Sequence, residues 1–341
     1  MGVPVPRIIF VLLLCAGSGC ASRTVDLSAV QQYAKTTAEA SASFDAIADD
    51  YYQSCLRRRE YAQPGSVGGK SLASMLPDRP ATPQALSPGK EDPDCNDASS
   101  IAYQWQLENG VVVGYVRSLG DVAGVDTAPK NFGDLASALK NAGAINSDAT
   151  ATAAGDLATA LANALIAARQ RAALHGIVQA AHDKGLNTLV KGLQYTAQAY
   201  QGKLDRERTA LRSYYSTVLG SEQQQYAALE CSTTQDTRLR QTLTCRQKPS
   251  TQSLVERRAN AAELRDLIRR QRIERMNALN AIDGHIQAAQ DYGDAVGAIA
   301  SGNDALLAAP PNDMHAVVST VKPYVDLLGE KVIAMVAALR R

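Results

Sequence analysis

Residues 186–229 read LNTLVKGLQYTAQAYQGKLDRERTALRSYYSTVLGSEQQQYAAL, and this stretch decides the fold. Leu186, Leu189, Leu193, Tyr200, Leu204, Leu211 and Val218 recur at steps of three, four or seven. Such steps line one face of a helix with apolar side chains, in the manner of a coiled-coil seam. A second seam follows a restart at Pro249 and Ser250, carried by Leu254, Leu264, Ile268, Leu279, Ile282 and Ile286. Pro310 and Pro311 end it. Two helices joined by a polar turn form an antiparallel hairpin over 186–301, each arm about 65 Å long at 1.5 Å per residue.

The segments around the hairpin point the same way. In residues 25–60, Val30, Tyr33, Thr37, Ala40, Phe44, Ile47 and Tyr51 fall three or four apart, another helical seam. Residues 62–97 carry Pro64, Pro77, Pro80, Pro83, Pro88 and Pro93 with several glycines, which predicts a long surface loop. A helix is expected from about Ala98 to Val122, although NGVVVGYV (109–116) inside it has strand-like content. A turn at 124–133 precedes a short helix with Phe132, Leu135 and Leu139. Residues 148–182 are alanine-dense and helical, with Asp148 as N-cap and Gly185 as the break. A last helix uses Val317, Val321, Val325, Leu328, Val332, Met335 and Leu339.

The 341 residues are 45% hydrophobic but only 5% aromatic, with alanine supplying much of the apolar share. Alanine is the best helix former and a thin core residue, so closely packed helices are favoured over a sheet sandwich. The expectation is an all-α protein, an elongated bundle of five to seven helices forming one domain over 20–341. A formal charge of +1 gives no global pull toward nucleic acid or anionic lipid.

The N-terminus reads MGVPVPRIIFVLLLCAGSGC. Arg7, the apolar run Ile8–Leu14 and then small residues follow the order of a secretory signal, here 1–19. The run is too short to serve as a permanent membrane span. Gly17-Ser18-Gly19 before Cys20 resembles the bacterial lipobox, with Gly17 standing where that pattern prefers an apolar residue. The resemblance implies that Cys20 is acylated and becomes the first mature residue. Ala21 after it implies the outer membrane, facing the periplasm. The chain would then reach its membrane through an N-terminal lipid, each buried methylene adding ~0.8 kcal/mol. The alternative is cleavage near Ala21 or Ser22 and a soluble secreted protein that self-associates or acts on another cell.

Beyond Cys15 and Cys20 the cysteines are Cys55, Cys95, Cys231 and Cys245. An even number in an exported chain points to disulfides, with sequence neighbours as natural partners: Cys55 with Cys95, and Cys231 with Cys245. The first pair brackets the Pro/Gly-rich loop and the second brackets the hairpin turn. No CxxC occurs and the histidines lie elsewhere, so a metal site is not expected.

Chemistry-bearing motifs are sparse. PGSVGGKS (64–71) ends like a phosphate-binding loop, but Pro64 stands where the first glycine is required, and neither a strand before nor a helix after is expected. His175 and His182 are seven apart, about 10 Å along a helix and too far for one metal. His285 and His315 are read as solvated or packing residues. No serine sits in GxSxG. Asp49, Asp50, Glu60 and Glu108 carry no mark of a catalytic pair, and acids on helices are normally solvated. No catalysis, cofactor or metal is therefore expected.

The arginines are the more informative set. Arg238, Arg240 and Arg246 in the hairpin turn, with Arg257 and Arg258 at the start of the return arm, make that end locally basic. Arg265, Arg269, Arg270, Arg272 and Arg275 extend it, partly offset by Glu256, Glu263, Asp266 and Glu274 at ion-pair spacing. One reading is a salt-bridged solvated face. The other is a contact surface for an envelope protein or an anionic envelope polymer; export disfavours nucleic acid. Gly293, Gly297 and Ser301, four apart, would let two helix backbones approach closely.

Overall fold

A computed structural model describes residues 28–62, 95–124, 149–167, 171–233, 254–308 and 314–340. Seven α-helices make up the described residues: α1 (Ser28–Ala62), α2 (Asn96–Val122), α3 (Ala149–Ala167), α4 (Arg171–Asp183), α5 (Leu186–Thr233), α6 (Leu254–Ala308) and α7 (Met314–Leu339). The protein is an elongated all-α bundle whose longest elements, α5 and α6, form an antiparallel hairpin.

The seams do what their spacing dictates. On α5 the leucines at 186, 189, 193, 204 and 211 are fully buried, and Val218 is partly so. On α1, Val30, Tyr33, Thr37, Ala40, Phe44 and Ile47 are fully buried. The alanine-rich stretch is two helices rather than one, α3 ending at Ala167 and α4 starting at Arg171. Gly185 separates α4 from α5 with φ at +97°, a left-handed conformation that costs a side-chain-bearing residue energy. The predicted short helix with Phe132, Leu135 and Leu139 lies outside the described residues, as does Asp148.

The NGVVVGYV segment is helix, not strand. Every residue from Glu108 to Val116 is buried, so α2 is enclosed on all sides over that stretch. Continuous valine content suits a buried strand and a buried helix alike, and only the surroundings distinguish them. Trp105 on α2 meets Tyr292 of α6 edge-on with ring centroids 5.3 Å apart, and Phe44 of α1 meets the same ring at 5.1 Å. The indole N–H donates to Tyr292 Oη at 2.7 Å; that hydroxyl donates to Asn109 Oδ1 at 2.5 Å; and Asn109 Nδ2 donates to the Phe44 carbonyl at 3.2 Å. Burial of these polar tips is offset because each finds a partner.

Cross-links fix the axial order. At one end Gln31 donates to the Ala123 carbonyl at 2.8 Å and Tyr33 to the Ile299 carbonyl at 2.9 Å. At the other, Cys55 of α1 is disulfide-bonded to Cys95, just before α2. Tyr61 lies beside Tyr214, centroids 6.1 Å apart, so α1 runs out there. The nineteen residues of α5 from Tyr215 to Thr233 continue for about 28 Å past that level, paired with α6. α7 packs antiparallel on α6, with Lys331 Nζ 3.3 Å from Asp291 and 2.7 Å from Asp294. Of the three small residues on α6, Gly297 alone marks a close approach: a Cβ there would sit 2.8 Å from Gln194 Nε2, whereas a Cβ at Gly293 would meet nothing within 4 Å and Ser301 is exposed.

The disulfide closes a loop of sequence separation 40. Loop-closure entropy at that length is worth about 4 kcal/mol. A Cys55→Ser/Cys95→Ser double variant should lose stability of about that size in urea unfolding. Adding a thiol reductant should destabilise the wild type by a similar amount and leave the variant unchanged.

Candidate functional site

Asp50, Ser54 and Arg57 sit at i, i+4 and i+7 of α1, which places them on one face. Tyr200 and Glu207 are seven apart on α5, and His285 comes from α6. The three helices bring these groups into one charge cluster. Arg57 Nη1 and Nη2 donate to Asp50 Oδ1 and Oδ2 at 2.8 and 3.1 Å. Its Nε and Nη2 donate to Glu207 Oε1 and Oε2 at 2.6 and 3.2 Å. Ser54 Oγ donates to Glu207 Oε2 at 2.6 Å. His285 Nδ1 lies 2.5 Å from Asp50 Oδ2, and the Tyr200 hydroxyl donates to the same oxygen.

One guanidinium therefore grips two carboxylates, and all four carboxylate oxygens are engaged. Glu207 is fully buried and Asp50 nearly so. Burial pushes the Asp50 carboxyl up, but the Arg57 guanidinium and then His285 hold it well below the usual carboxylate range. Burial pulls the Arg57 guanidinium down, but Asp50 and Glu207 hold it well above its usual value. The Tyr200 phenol is pushed well up by burial and by Asp50, so it remains a donor. Chemically the cluster can lock α1, α5 and α6 in one register, since a buried charge left without its partner is heavily penalised. Among the described residues, no group of three His, Cys, Asp or Glu side chains is placed to hold a metal ion.

Here the structure corrects two expectations. Asp50 and Glu108 are buried, not solvated; Glu108 Oε1 accepts from Gln104 Nε2 at 2.9 Å. His285 Nδ1 meets the Asp50 carboxylate at hydrogen-bond distance and is not merely a packing residue. A faint signal was present: Asp50, Ser54 and Arg57 interrupt the buried face of α1 at helical spacing. Nothing in one sequence tied them to Glu207, 150 positions beyond Arg57.

The outer hairpin is a different surface. Its interface is polar: Gln271 Nε2 donates to Glu222 Oε1 at 2.7 Å, and Arg265 Nη2 donates to Tyr226 Oη at 2.6 Å. Tyr215 Oη, Glu222 Oε2, Gln271 Oε1 and Arg275 Nε are buried there without a hydrogen-bond partner among the described residues. On its outer side α6 shows a shallow depression of about 350 Å³ lined by Arg265, Ile268, Arg269, Arg272, Ile273 and Met276. Ile273 and Met276 are 51% and 61% exposed, unusual for large apolar side chains.

Of the residues singled out from sequence, Cys55 and Cys95 are bonded to each other. Arg257 and Arg258 lie in the first turns of α6 and Cys231 in the last turn of α5. Cys20, Cys245, Arg238, Arg240, Arg246 and the 64–71 glycine-rich motif lie outside the described residues. So does His315's side chain, whereas His182 is exposed beside Asp304 at 3.4 Å. No described helix is long and apolar enough to cross a membrane.

Fold and site together define an all-α bundle whose long hairpin is pinned to α1 by a buried charge cluster. Comparison with protein-family models, curated proteins and solved structures finds no match to this chain.

The cluster makes acid a specific stress. A carboxyl whose folded pKa is depressed stabilises the fold fully above its unfolded value of about 4. That contribution drains away as pH falls through the folded value. Urea unfolding of the wild type should therefore weaken from pH 5 toward pH 2, and Asp50→Asn should flatten that slope while lowering stability at pH 7. Arg57→Met should cost about 3–5 kcal/mol at pH 7, because two buried carboxylates lose their cation.

Proposed function

We propose that this chain is a non-catalytic envelope lipoprotein, a scaffold that holds a helical arm away from a lipid anchor so that the arm meets a periplasmic partner. One observation carries the reading. Ser28, the first described residue of α1, belongs to the end where Tyr33 bonds Ile299, and Thr233 and Leu254, where α5 stops and α6 starts, belong to the opposite end. From Ile299 to Leu254 along α6 is about 68 Å at 1.5 Å per residue. Cys20 precedes Ser28 by eight residues, a tether of at most about 28 Å. A lipid on Cys20 would thus sit at one end of a rod and the basic turn at the other.

The roles divide accordingly. Cys20 carries the acyl chains, which hold the protein on the outer membrane. The Cys55–Cys95 bond and the Arg57 cluster keep the rod rigid. Arg238, Arg240, Arg246, Arg257 and Arg258 present the contact end to an envelope protein or an anionic envelope polymer. No cofactor enters this scheme.

Intact mass and membrane fractionation, run beside a Cys20→Ser variant, provide the test. The expected result is a lipid-sized mass increment and membrane retention in the wild type, both lost in the variant. An unmodified, soluble wild-type chain would overturn the anchored reading in favour of a secreted one. In membranes, charge reversal at Arg238, Arg240 and Arg246 should abolish the crosslinking that the wild type shows between the turn and its envelope partner.

A further inference from the structure

We infer that the outer stretch of α6 is an open third-helix slot, built to receive an acidic amphipathic helix from a partner protein. This deepens the reading of the hairpin as a contact arm and rests on it. Within the body, α6 is not a lone pair with α5, because α7 lies along it as a third helix, facing Asp291 and Asp294 with Lys331. Leu339, the end of α7, is eight residues past Lys331, about 12 Å further along. It therefore reaches about the level of Asp283, whereas α6 is described outward to Leu254.

The exposed stripe lies on the side of α6 that α7 covers lower down. Met276 and Asp294 are eighteen residues apart, as are Ile273 and Asp291, and eighteen residues make five full turns at 3.6 per turn. The same side of one helix is covered by α7 below and, among the described residues, exposed above. In the open part Ile273 and Met276 stand exposed, with Arg265, Arg269 and Arg272 on neighbouring turns of that side. The whole set spans 265–276, about 17 Å or three helical turns, a footprint suited to a helix laid alongside.

Charge selects the occupant. Where α7 fills the slot, α6 supplies the acids and the third helix the cation. In the open part α6 supplies arginines in excess, Arg269 lying 3.5 Å from Asp266 in an exposed pair, so a matching helix brings carboxylates at three- and four-residue spacing around an apolar stripe. Every lysine-or-arginine position of α6 is arginine, whose planar fork takes a carboxylate bidentately. Two apolar side chains framed by arginines also resemble a protein hot spot more than a membrane-inserting face, which needs a broader apolar strip.

The test uses the full chain and a synthetic helical peptide of about twenty residues, with glutamates flanking a leucine stripe. Fluorescence anisotropy should show saturable binding that weakens with added salt, and no binding of the same peptide with lysine for glutamate. Arg269→Glu/Arg272→Glu and, separately, Ile273→Ser/Met276→Ser should each weaken binding by roughly tenfold or more. Both pairs of sites are exposed, and unchanged helicity and urea midpoint would show the variants folded. Binding that survives both variants, or no binding to the wild type, would overturn the slot. So would sedimentation with phosphatidylglycerol vesicles, or self-association by ultracentrifugation, that depends on these residues while the peptide is ignored. Failure of the slot is separable from failure of the arm. If Arg238→Glu/Arg240→Glu/Arg246→Glu abolishes envelope crosslinking while the stripe variants retain it, the arm stands and the slot falls. If the peptide binds but no envelope contact maps to the hairpin, the slot stands alone.

Discussion

Arg57 is the residue on which the geometry of the bundle depends. Its guanidinium joins a carboxylate of its own helix to a fully buried carboxylate of α5, and His285 of α6 closes the set through Asp50. Apolar packing is non-directional and tolerates sliding. Long helices with repeating seams are especially prone to it, since a shift of one heptad preserves most contacts. A forked hydrogen-bond set does not survive such a shift. The cluster thus does for α1, α5 and α6 what a single buried polar residue does for register in a coiled coil. The aromatic tier of Phe44, Trp105 and Tyr292 repeats the device with neutral groups, tying α2 to the same frame.

Much of the architecture was legible because helix periodicity is a local signal. The leucine seam of α5 and the α1 seam were readable from spacing, and the buried faces follow it. Gly185 was readable as a break because few other residues accept its backbone conformation. The valine run of α2 was ambiguous for a physical reason: a helix enclosed on all sides has no polar face to reveal its period. The division of 148–182 into two helices was missed because alanine is a strong helix former throughout and gives no stop signal.

The cluster itself was not legible. Its members come from three helices, and charge in sequence reads as exposure unless a partner is known. Asp50 looked solvated for that reason, and Glu207 sits amid DRER, which reads as a surface run. Ile273 and Met276 stand outside the apolar seam of the return arm and are exposed. The basic character of the arm was visible in the arginine count, but its placement on the side that α7 covers lower down required the packing of three helices.

The Cys55–Cys95 bond has a consequence for covalent integrity. It joins the chain on the two sides of the Pro/Gly-rich segment. A single protease cut anywhere between the two cysteines leaves one covalent molecule. Everything N-terminal to the cut, including any group attached near the start of the chain, stays fastened to the helices that follow. Shedding the body through a cut in this segment then takes two independent chemical events, hydrolysis of a peptide bond and reduction of a disulfide. After both, α1 would still be held by the buried grip of Arg57 on Glu207.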